Sequence, residues 1–504
     1  MTQKSEFQGS LTHHIARGST IVLFFAFLAA PIGYLTRMLY SRSLSIEMFG
    51  LFYSILAFLT IFTTFNDLGF GYSLSYLVPK FIKNKEKQKI WNTFRYDQII
   101  EVSTAIILSI VLYFSSDFLA SNYFKTDISS DLIKIFLIFF IAESFLSAID
   151  KFFVGLQQEE YYSSIKIAKL GFGLMFSLIV FWLGKGNVIW YAVSWSLSHM
   201  LVAIIYKYIL YRRNRTIISK LTWDKSLFVR MSKYAFPTLL VSSIGIISAP
   251  IDSILLIFFK DLSAVGVYNI ILPLVVITPI FLTPINNLLF PLISKIEDEP
   301  KKVTLLMESM LKIVPYLATY FAIFIFLFPE SIVQTVFGSK WVELAATPLK
   351  IASLGYIFLP MSSLMGTFAN GLGLVKEKSK LSIIITVLKV LLNLFFIYSF
   401  GIVGAIFTNI VMFTMGTVFL AFHIRKRFLF SVPIFFYGKL ILFGLLIYSV
   451  SHLFGLNPRG IMEIGLTGFL YTLLYLIFGI IFEVVDKKSI MILFNNKKNI
   501  RWIR

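Results

Sequence analysis

The sequence predicts an all-α integral membrane protein with fourteen transmembrane helices, two six-helix lobes in parallel repeat plus an extra C-terminal pair. Three observations predict it. Of 504 residues, 57% are hydrophobic and only 14% charged, a composition of the membrane class. Apolar stretches recur near the roughly 20 residues that a bilayer-crossing helix needs, and the connections between them alternate between basic and nearly neutral. The chain also repeats itself at an offset of 216 residues.

The first six spans fall near 19–41, 49–78, 97–115, 132–154, 165–183 and 188–208. The next six fall near 234–259, 264–293, 309–328, 346–370, 379–399 and 402–423, and the last pair near 432–454 and 461–483. The first span runs on through Ile32 to Tyr40. That is too long for a signal-peptide core, so it is expected to be retained. Most of the 46 Lys and Arg occupy the N-terminus, the even-numbered connections and the C-terminus. The odd-numbered connections hold only Arg42, Lys125, Lys185, Lys260, Lys340, Lys350 and Arg459; Arg37, Lys134, Lys389 and Lys439 are assigned to spans, and lysines in the inner end turns of spans are tallied with the inner connections. Basic connections stay cytoplasmic. The expectation is a multi-pass plasma-membrane protein with both termini in the cytoplasm. Trp91, Trp223 and Trp502 on the inside, with Trp182, Trp190 and Trp341 outside, read as an aromatic belt.

A net charge of +20 is carried by these loops, where it sets topology and meets anionic membrane lipid; no nucleic-acid partner is expected. With no cysteine, disulfides, thiolate catalysis and Cys-ligated metals are excluded. The five histidines, His13, His14, His199, His423 and His452, show no metal-site spacing. No nucleotide-binding motif appears, so neither metal nor cofactor is expected. The longest outer connection, 329–350, is too short for a soluble catalytic domain, and an enzyme is not expected.

The repeat is visible in glycines. Phe49-Gly50-Leu51-Phe52-Tyr53 opens the second span and Val265-Gly266-Val267-Tyr268 the eighth, with Gly50 and Gly266 216 residues apart. Gly155-Leu156 closes the fourth span and Gly371-Leu372 the tenth, at the same offset. Six helices per copy give both copies one orientation, related by an axis along the membrane normal. The expected divisions are a first lobe 1–210, a cytoplasmic linker 211–233, a second lobe 234–425, and a last pair with a basic cytoplasmic tail, 426–504. In the linker, Arg212, Arg213, Arg215, Lys220, Lys225 and Arg230 are interleaved with Ile217, Ile218, Leu221, Leu227 and Phe228. That pattern fits either an amphipathic helix on the inner leaflet or a plain basic loop.

Several motifs together resemble a known family. They are Asn66-Asp67-Leu68-Gly69-Phe70-Gly71; Asp252-Ser253-Ile254-Leu255-Leu256, with Ala264-Val265-Gly266-Val267-Tyr268 and Pro291; and Asn370-Gly371-Leu372-Gly373 with Lys376, Asn393 and Phe400-Gly401-Ile402-Val403-Gly404-Ala405. In order and spacing the chain resembles polysaccharide flippases of the multidrug/oligosaccharidyl-lipid/polysaccharide exporter superfamily. The resemblance implies two lobes around a central cleft, alternating access, and a lipid-linked oligosaccharide as substrate, with the O-antigen class among the glycans so assembled. Polysaccharide assembly proteins are implied as partners. Fourteen spans favour a lipid-linked substrate over the twelve of the drug exporters, and the resemblance implies that the last pair lines a groove for a lipid tail. The alternative is an ion-coupled multidrug or organic-cation antiporter.

Charges inside spans are costly and mark candidate sites. Arg37 and Asp252 sit at nearly equivalent places in the two repeats, and a guanidinium suits phosphate oxygens. Arg37 is expected to pair with Asp252 or share a cavity with it near an outer gate, where a headgroup pyrophosphate competes for Arg37, or else it snorkels outward beside Arg42. Ser382, Thr386, Lys389 and Asn393 lie on one helix face, and Lys389 and Asn393 are expected to bind the headgroup. Glu143, Asp252 and Asp67 are the candidates for gating or ion coupling. Glu143 is read as a lone mid-membrane carboxylate, with Lys134 a poor partner for it. Asp150 is expected to be structural and His199 a hydrogen-bonded packing residue. Pro31 and Pro250 are expected to break matching helices, and Pro273, Pro279, Pro284 and Pro291 to kink the eighth span.

Overall fold

The structure, a computed structural model, describes residues 2–248, 250–456 and 458–481; the basic tail with Trp502 lies outside the described residues. Among the described residues all regular structure is helical. The chain divides into two compact units, the first ending at Gly266 and the second beginning at Val267.

The first unit contains α1 (Thr2–Ser43), α2 (Ile46–Asn66), α3 (Phe70–Lys83), α4 (Lys87–Leu119), α5 (Ile128–Gly155), α6 (Glu159–Trp182), α7 (Val188–Arg213), α8 (Lys225–Ile247) and α9 (Ile251–Phe259). The next helix, α10 (Leu262–Val275), crosses the boundary. The second unit contains α11 (Ile277–Lys295), α12 (Pro300–Leu327), α13 (Pro329–Phe337), α14 (Val342–Gly355), α15 (Phe358–Gly371), α16 (Val375–Arg425), α17 (Ile434–Leu453) and α18 (Ile461–Ile481).

Eleven helices are long and apolar enough to cross a membrane among the described residues, against fourteen spans read from sequence. The difference lies in three places. The stretches 234–259 and 264–293 are each split into shorter helices, α8 with α9 and α10 with α11. The spans at 379–399 and 402–423 form one continuous α16, kinked at Gly401 (φ 58°, ψ −127°). A side chain at Gly404 would overlap the Phe396 carbonyl across that kink, which is why the bend needs glycine at both positions.

Local signals set several boundaries. The side chain of Ser45 accepts from the Met48 amide at 3.2 Å to cap α2, and that of Asn187 from the Trp190 amide at 3.1 Å to cap α7. At α8 the Ser226 hydroxyl and the Leu227 amide donate to Asp224 Oδ1 at 2.6 and 3.0 Å, and these bonds hold the Asp224 carboxyl below its usual range.

Two sequence expectations are corrected and two are refined. Pro31 lies inside an unbroken α1; one missing hydrogen bond does not by itself end a transmembrane helix. The linker has no helix over 218–224. Instead Gln88 Nε2 donates to the Lys220 carbonyl (2.7 Å) and Thr222 Oγ1 (3.0 Å), and the Tyr96 hydroxyl to the Thr222 carbonyl (2.7 Å). These α4 side chains take up the backbone groups that a helix would have satisfied itself. Trp91 and Trp341 are core residues rather than belt residues, whereas Trp182, Trp190 and Trp223 are exposed. Finally, the span read at 346–370 lies within one candidate crossing, Ser339–Gly371, built of two helices, α14 and α15, parted at Tyr356-Ile357.

Helices α8 and α9, read from sequence with the second lobe, belong to the first unit. Gly69 approaches α8 so closely that a Cβ would overlap the Ala235 carbonyl. At the opposite end of α2, a Cβ on Gly50 would overlap the Leu262 carbonyl and reach the Gly266 amide nitrogen. The two glycines that betray the repeat in the sequence thus sit at one close backbone crossing.

The first unit's core joins Leu74, Leu77 and Phe81 of α3, Phe94 of α4, Ile149 and Phe152 of α5, and Met231 of α8. In the second unit Met307 and Met310 of α12, Leu364 and Phe368 of α15, and Ile424 of α16 form a comparable centre. Large apolar side chains such as Phe114, Ile107, Ile441 and Leu442 are exposed, as lipid-facing positions require. Helix α18 is fastened to α12 by tyrosines. The Tyr316 hydroxyl donates to the Tyr475 carbonyl (2.8 Å), Tyr475 returns the bond to the Tyr316 carbonyl (2.7 Å), and Tyr471 donates to the Tyr320 carbonyl (2.7 Å). In lipid, where apolar surface gains nothing from association, such polar contacts hold helices together.

Candidate functional site

The site grows from the turn between α2 and α3. Asp67 ends α2, and the chain then reverses through Leu68 (φ 47°) and Gly69 (φ 83°). A left-handed Leu68 costs ~1–2 kcal/mol, so the turn is held from outside its own backbone. Asp67 Oδ1 accepts from the Gly69 amide at 2.9 Å, and Oδ2 accepts from Lys151 Nζ of α5 at 2.8 Å. The Lys151 side chain lies across Gly71, where a Cβ would overlap it. Beside the turn, Asn66 Nδ2 donates to Ser144 Oγ at 2.8 Å.

Lys151 also reaches Glu101 Oε1 of α4 at 3.5 Å. One helical turn before Glu101 stands Asp97, fully buried at 0% exposure, with neither carboxylate oxygen hydrogen-bonded. Glu101 is 1% exposed and its Oε2 is likewise unbonded. Three buried carboxyl groups and one ammonium, on a Lys151 side chain that keeps 26% exposure, therefore share the space between α2, α4 and α5.

A second cluster lies two turns away along α5. Glu143 accepts two bonds from Lys169 Nζ of α6, at 2.8 and 3.0 Å. His199 of α7 places Nε2 3.8 Å from Glu143 Oε2, and its Nδ1 lies 2.8 Å from the Trp195 carbonyl. Glu143, Ser147 and Lys151 fall on one face of α5. A cavity of about 520 Å³ opens beside them, lined by Phe25 of α1, by Glu143, Ser147 and Asp150, and by Lys166 and Lys169.

The sequence-predicted residues are placed as follows. Asp67 and Glu143 belong to these two clusters. Glu143 is not alone, because Lys169 pairs with it; Lys134 instead pairs with Asp117 at 3.4 Å. Asp150 lines the cavity, and His199 is a hydrogen-bonded core residue as expected. Arg37 lays its guanidinium 4.3 Å from the centre of the Tyr53 ring, a cation–π contact. Asp252 is buried in the first turn of α9. In the second unit Lys389 and Asn393 are buried on one face of α16 at 6% and 0% exposure, with Thr386, while Leu391, Leu394 and Phe395 are exposed.

Sequence reasoning missed Asp97, Glu101, Lys151 and Lys169. The lysines were tallied with the cytoplasmic connections because they sit in the inner turns of their helices. Two signals were available: Asp97 and Glu101 are spaced i, i+4 within an apolar helix, and Glu143, Ser147 and Lys151 repeat at i, i+4, i+8.

The second unit also holds a cavity of about 790 Å³ walled by α12, α14, α15, α16 and α17. Its lining includes Ile323, Met361, Met365, Val418, Leu440 and Leu445, and no charged residue.

Comparison with known proteins places this architecture. Over residues 15–297, more than half of the chain, the sequence matches the family described as polysaccharide biosynthesis protein. An uncharacterised membrane protein of Methanocaldococcus jannaschii is 27% identical over 418 residues, covering 79% of this chain and 82% of its own. A probable low-salt glycan biosynthesis flippase, Agl15, of Haloferax volcanii is 28% identical over 210 residues, covering 40% of this chain and 42% of its own. Among solved structures, the lipid II flippase MurJ in an inward closed conformation aligns with a TM-score of 0.70 at 16% identity, covering 92% of this chain and 98% of its own. An inward-facing multidrug resistance MATE family transporter of the MOP superfamily aligns at 0.60 and 16% identity, covering 80% and 95%. The chain belongs to the polysaccharide biosynthesis protein family, and its helices adopt the fold of the MOP transporters and flippases.

Proposed function

We propose that the protein is a flippase that carries a polyprenyl-(di)phosphate-linked oligosaccharide from the inner to the outer leaflet of the cytoplasmic membrane by alternating access around a central cleft, with both termini inside, for cell-surface polysaccharide assembly. The observation that carries this reading is the uncharged cavity of about 790 Å³ bounded on one side by α17. A small organic cation has no use for a long uncharged slot, whereas a polyprenyl chain is recognised by apolar surface alone. In this reading the lipid tail lies along α12, α15 and α17 while the polar headgroup passes through the protein. Arg37, Lys389 and Asn393 contact phosphate or sugar, and Asp252, Glu143 and Asp67 serve gating or coupling. The relatives named for glycan biosynthesis and lipid II support the same substrate class.

The test is translocation in proteoliposomes of a fluorescent polyprenyl-diphosphate oligosaccharide, with Arg37→Ala and Lys389→Ala beside the unaltered protein. Protein-dependent movement that falls in either variant is expected. Efflux of small organic cations with no glycolipid movement would overturn the reading in favour of the antiporter.

A further inference from the structure

The charge cluster around Lys151 is out of balance. Asp67, Asp97 and Glu101 carry three carboxyls and Lys151 one ammonium, so full ionisation leaves two uncompensated negative charges inside the membrane. Asp67 is satisfied by the Gly69 amide and Lys151. Glu101 has Lys151 on one oxygen only. Asp97 has no hydrogen-bond donor on either oxygen. An ionised carboxylate so placed is far costlier than a neutral one, and neighbouring carboxylates oppose each other's ionisation.

We propose that Asp97 and Glu101 form a proton-binding pair that holds one exchangeable proton, with Lys151 as its internal counter-cation. This rests on the transporter reading of the fold and adds to it a proton site separate from Glu143. The charged groups facing Asp97 are Glu101 on its own helix, Lys151 from α5 and Asp67 from the end of α2. The other nearby bases are engaged elsewhere: Lys80 of α3 with the Tyr76 ring, Arg230 of α8 with the Phe81 ring, and Arg95 with Gln98. A metal cation does not suit this space, because the Lys151 ammonium already lies 2.8 and 3.5 Å from two of the three carboxylates and would repel it. A proton needs only one carboxylate oxygen. Its route to water is marked by Ser147, which interacts with Glu101 and also lines the cavity of about 520 Å³. The step is balanced simply: one proton from water binds one carboxylate oxygen, the group's net charge rises from −2 to −1, and release reverses it. With the proton gone, Lys151 is drawn from Asp67 toward α4, loosening the turn that joins α2 to α3.

The test is pH-difference infrared spectroscopy of the full chain in nanodiscs, without substrate, between about pH 5 and about pH 9, a range that spans raised carboxyl titrations. The expected result is a protonated-carboxyl C=O band that appears as pH falls. It should be lost or shifted in Asp97→Asn and in Glu101→Gln, each isosteric with a protonated acid and expected to fold. A wild-type spectrum without a pH-dependent band, or a band unchanged in both variants, overturns the proposal. So does a band that answers to sodium and not to pH. Because no substrate is present, a protein that moves no glycolipid but shows the band leaves the proton site standing. One that moves glycolipid without the band loses only the proton site.

Discussion

In the first repeat Gly155 packs against Val78 and Leu74 of α3, with a would-be Cβ 3.1 Å from Val78 Cβ; in the second Gly371 packs against Ile293 and the Phe290 carbonyl of α11, with the same atom 2.6 Å from Ile293 Cγ2. The helices end alike. The Gln158 amide bonds the Phe153 carbonyl at 3.0 Å, and the Leu374 amide the Ala369 carbonyl at 2.8 Å, with Gln157 (φ 58°) and Gly373 (φ 72°) in the left-handed position between. This is the 6→1 closure of a helix end, preserved at the 216-residue offset. The filling differs. Where α5 and α6 carry Glu143, Lys151 and Lys169, the same offset gives Leu359, Thr367 and Ile385. Where α4 buries Asp97 and Glu101, the matching part of α12 buries Met310, Leu311, Ile313 and Val314. The joint is common to both repeats, while this cluster of paired carboxylates and lysines stands in the first. Backbone closure constrains sequence by geometry, while a buried ion constrains it by the partners it must have.

Six substitutions in four tests probe that contrast, each read as a change in unfolding free energy in detergent micelles. The largest effect is expected for Lys151→Thr, which installs the second repeat's residue in the first. It strands buried carboxylates and should cost ~3–5 kcal/mol, whereas Thr367→Ser should stay within about 0.5 kcal/mol. Equal costs would erase the asymmetry. Next, Gly155→Ala and Gly371→Ala should each cost ~1–3 kcal/mol through overpacking. If only one does, the shared joint is a resemblance of shape and not of tolerance. Third, Tyr475→Phe, in the pair with no counterpart in the first repeat, should cost ~1 kcal/mol by removing one hydroxyl bond. No change would mean α18 is held by packing alone. The smallest is Gln157→Gly, which copies Gly373 and should stabilise by up to ~1 kcal/mol by relieving the left-handed strain. A loss would show that the Gln157 side chain matters more than its backbone.

Most of the fold was legible because a bilayer imposes length and charge rules that few residues can disobey. Gly50, Gly155, Gly266 and Gly371 announced the repeat: Gly50, Gly155 and Gly371 each stand at a crossing that admits no side chain or almost none, and the Gly266 amide lies against Gly50. Pro360, in the first turn of α15, could have announced the parting at Tyr356-Ile357, whereas Pro348 and Pro31 lie inside unbroken helices; helix continuity in lipid depends on neighbours that a single segment does not reveal. The candidate site was half legible. Asp67 and Glu143 stood out because they interrupt apolar runs. Lys151 and Lys169 did not, because a lysine near an inner helix end looks the same whether it turns to the cytoplasm or folds inward onto Glu101 or Glu143. Partner identity is a property of packing, and spacing along one helix records only half of each pair.

Helix α5 grips its neighbours at two heights. Glu143 holds α6 through Lys169, and two turns along Lys151 holds the end of α2 and the middle of α4. A slide or twist of α5 by a single residue would open both contacts in the same instant, so α5 behaves as a keyed shaft with detents and not as a sliding rod. While these ion pairs stay closed, any stroke that passes through the first unit carries α2, α4, α5 and α6 as one block.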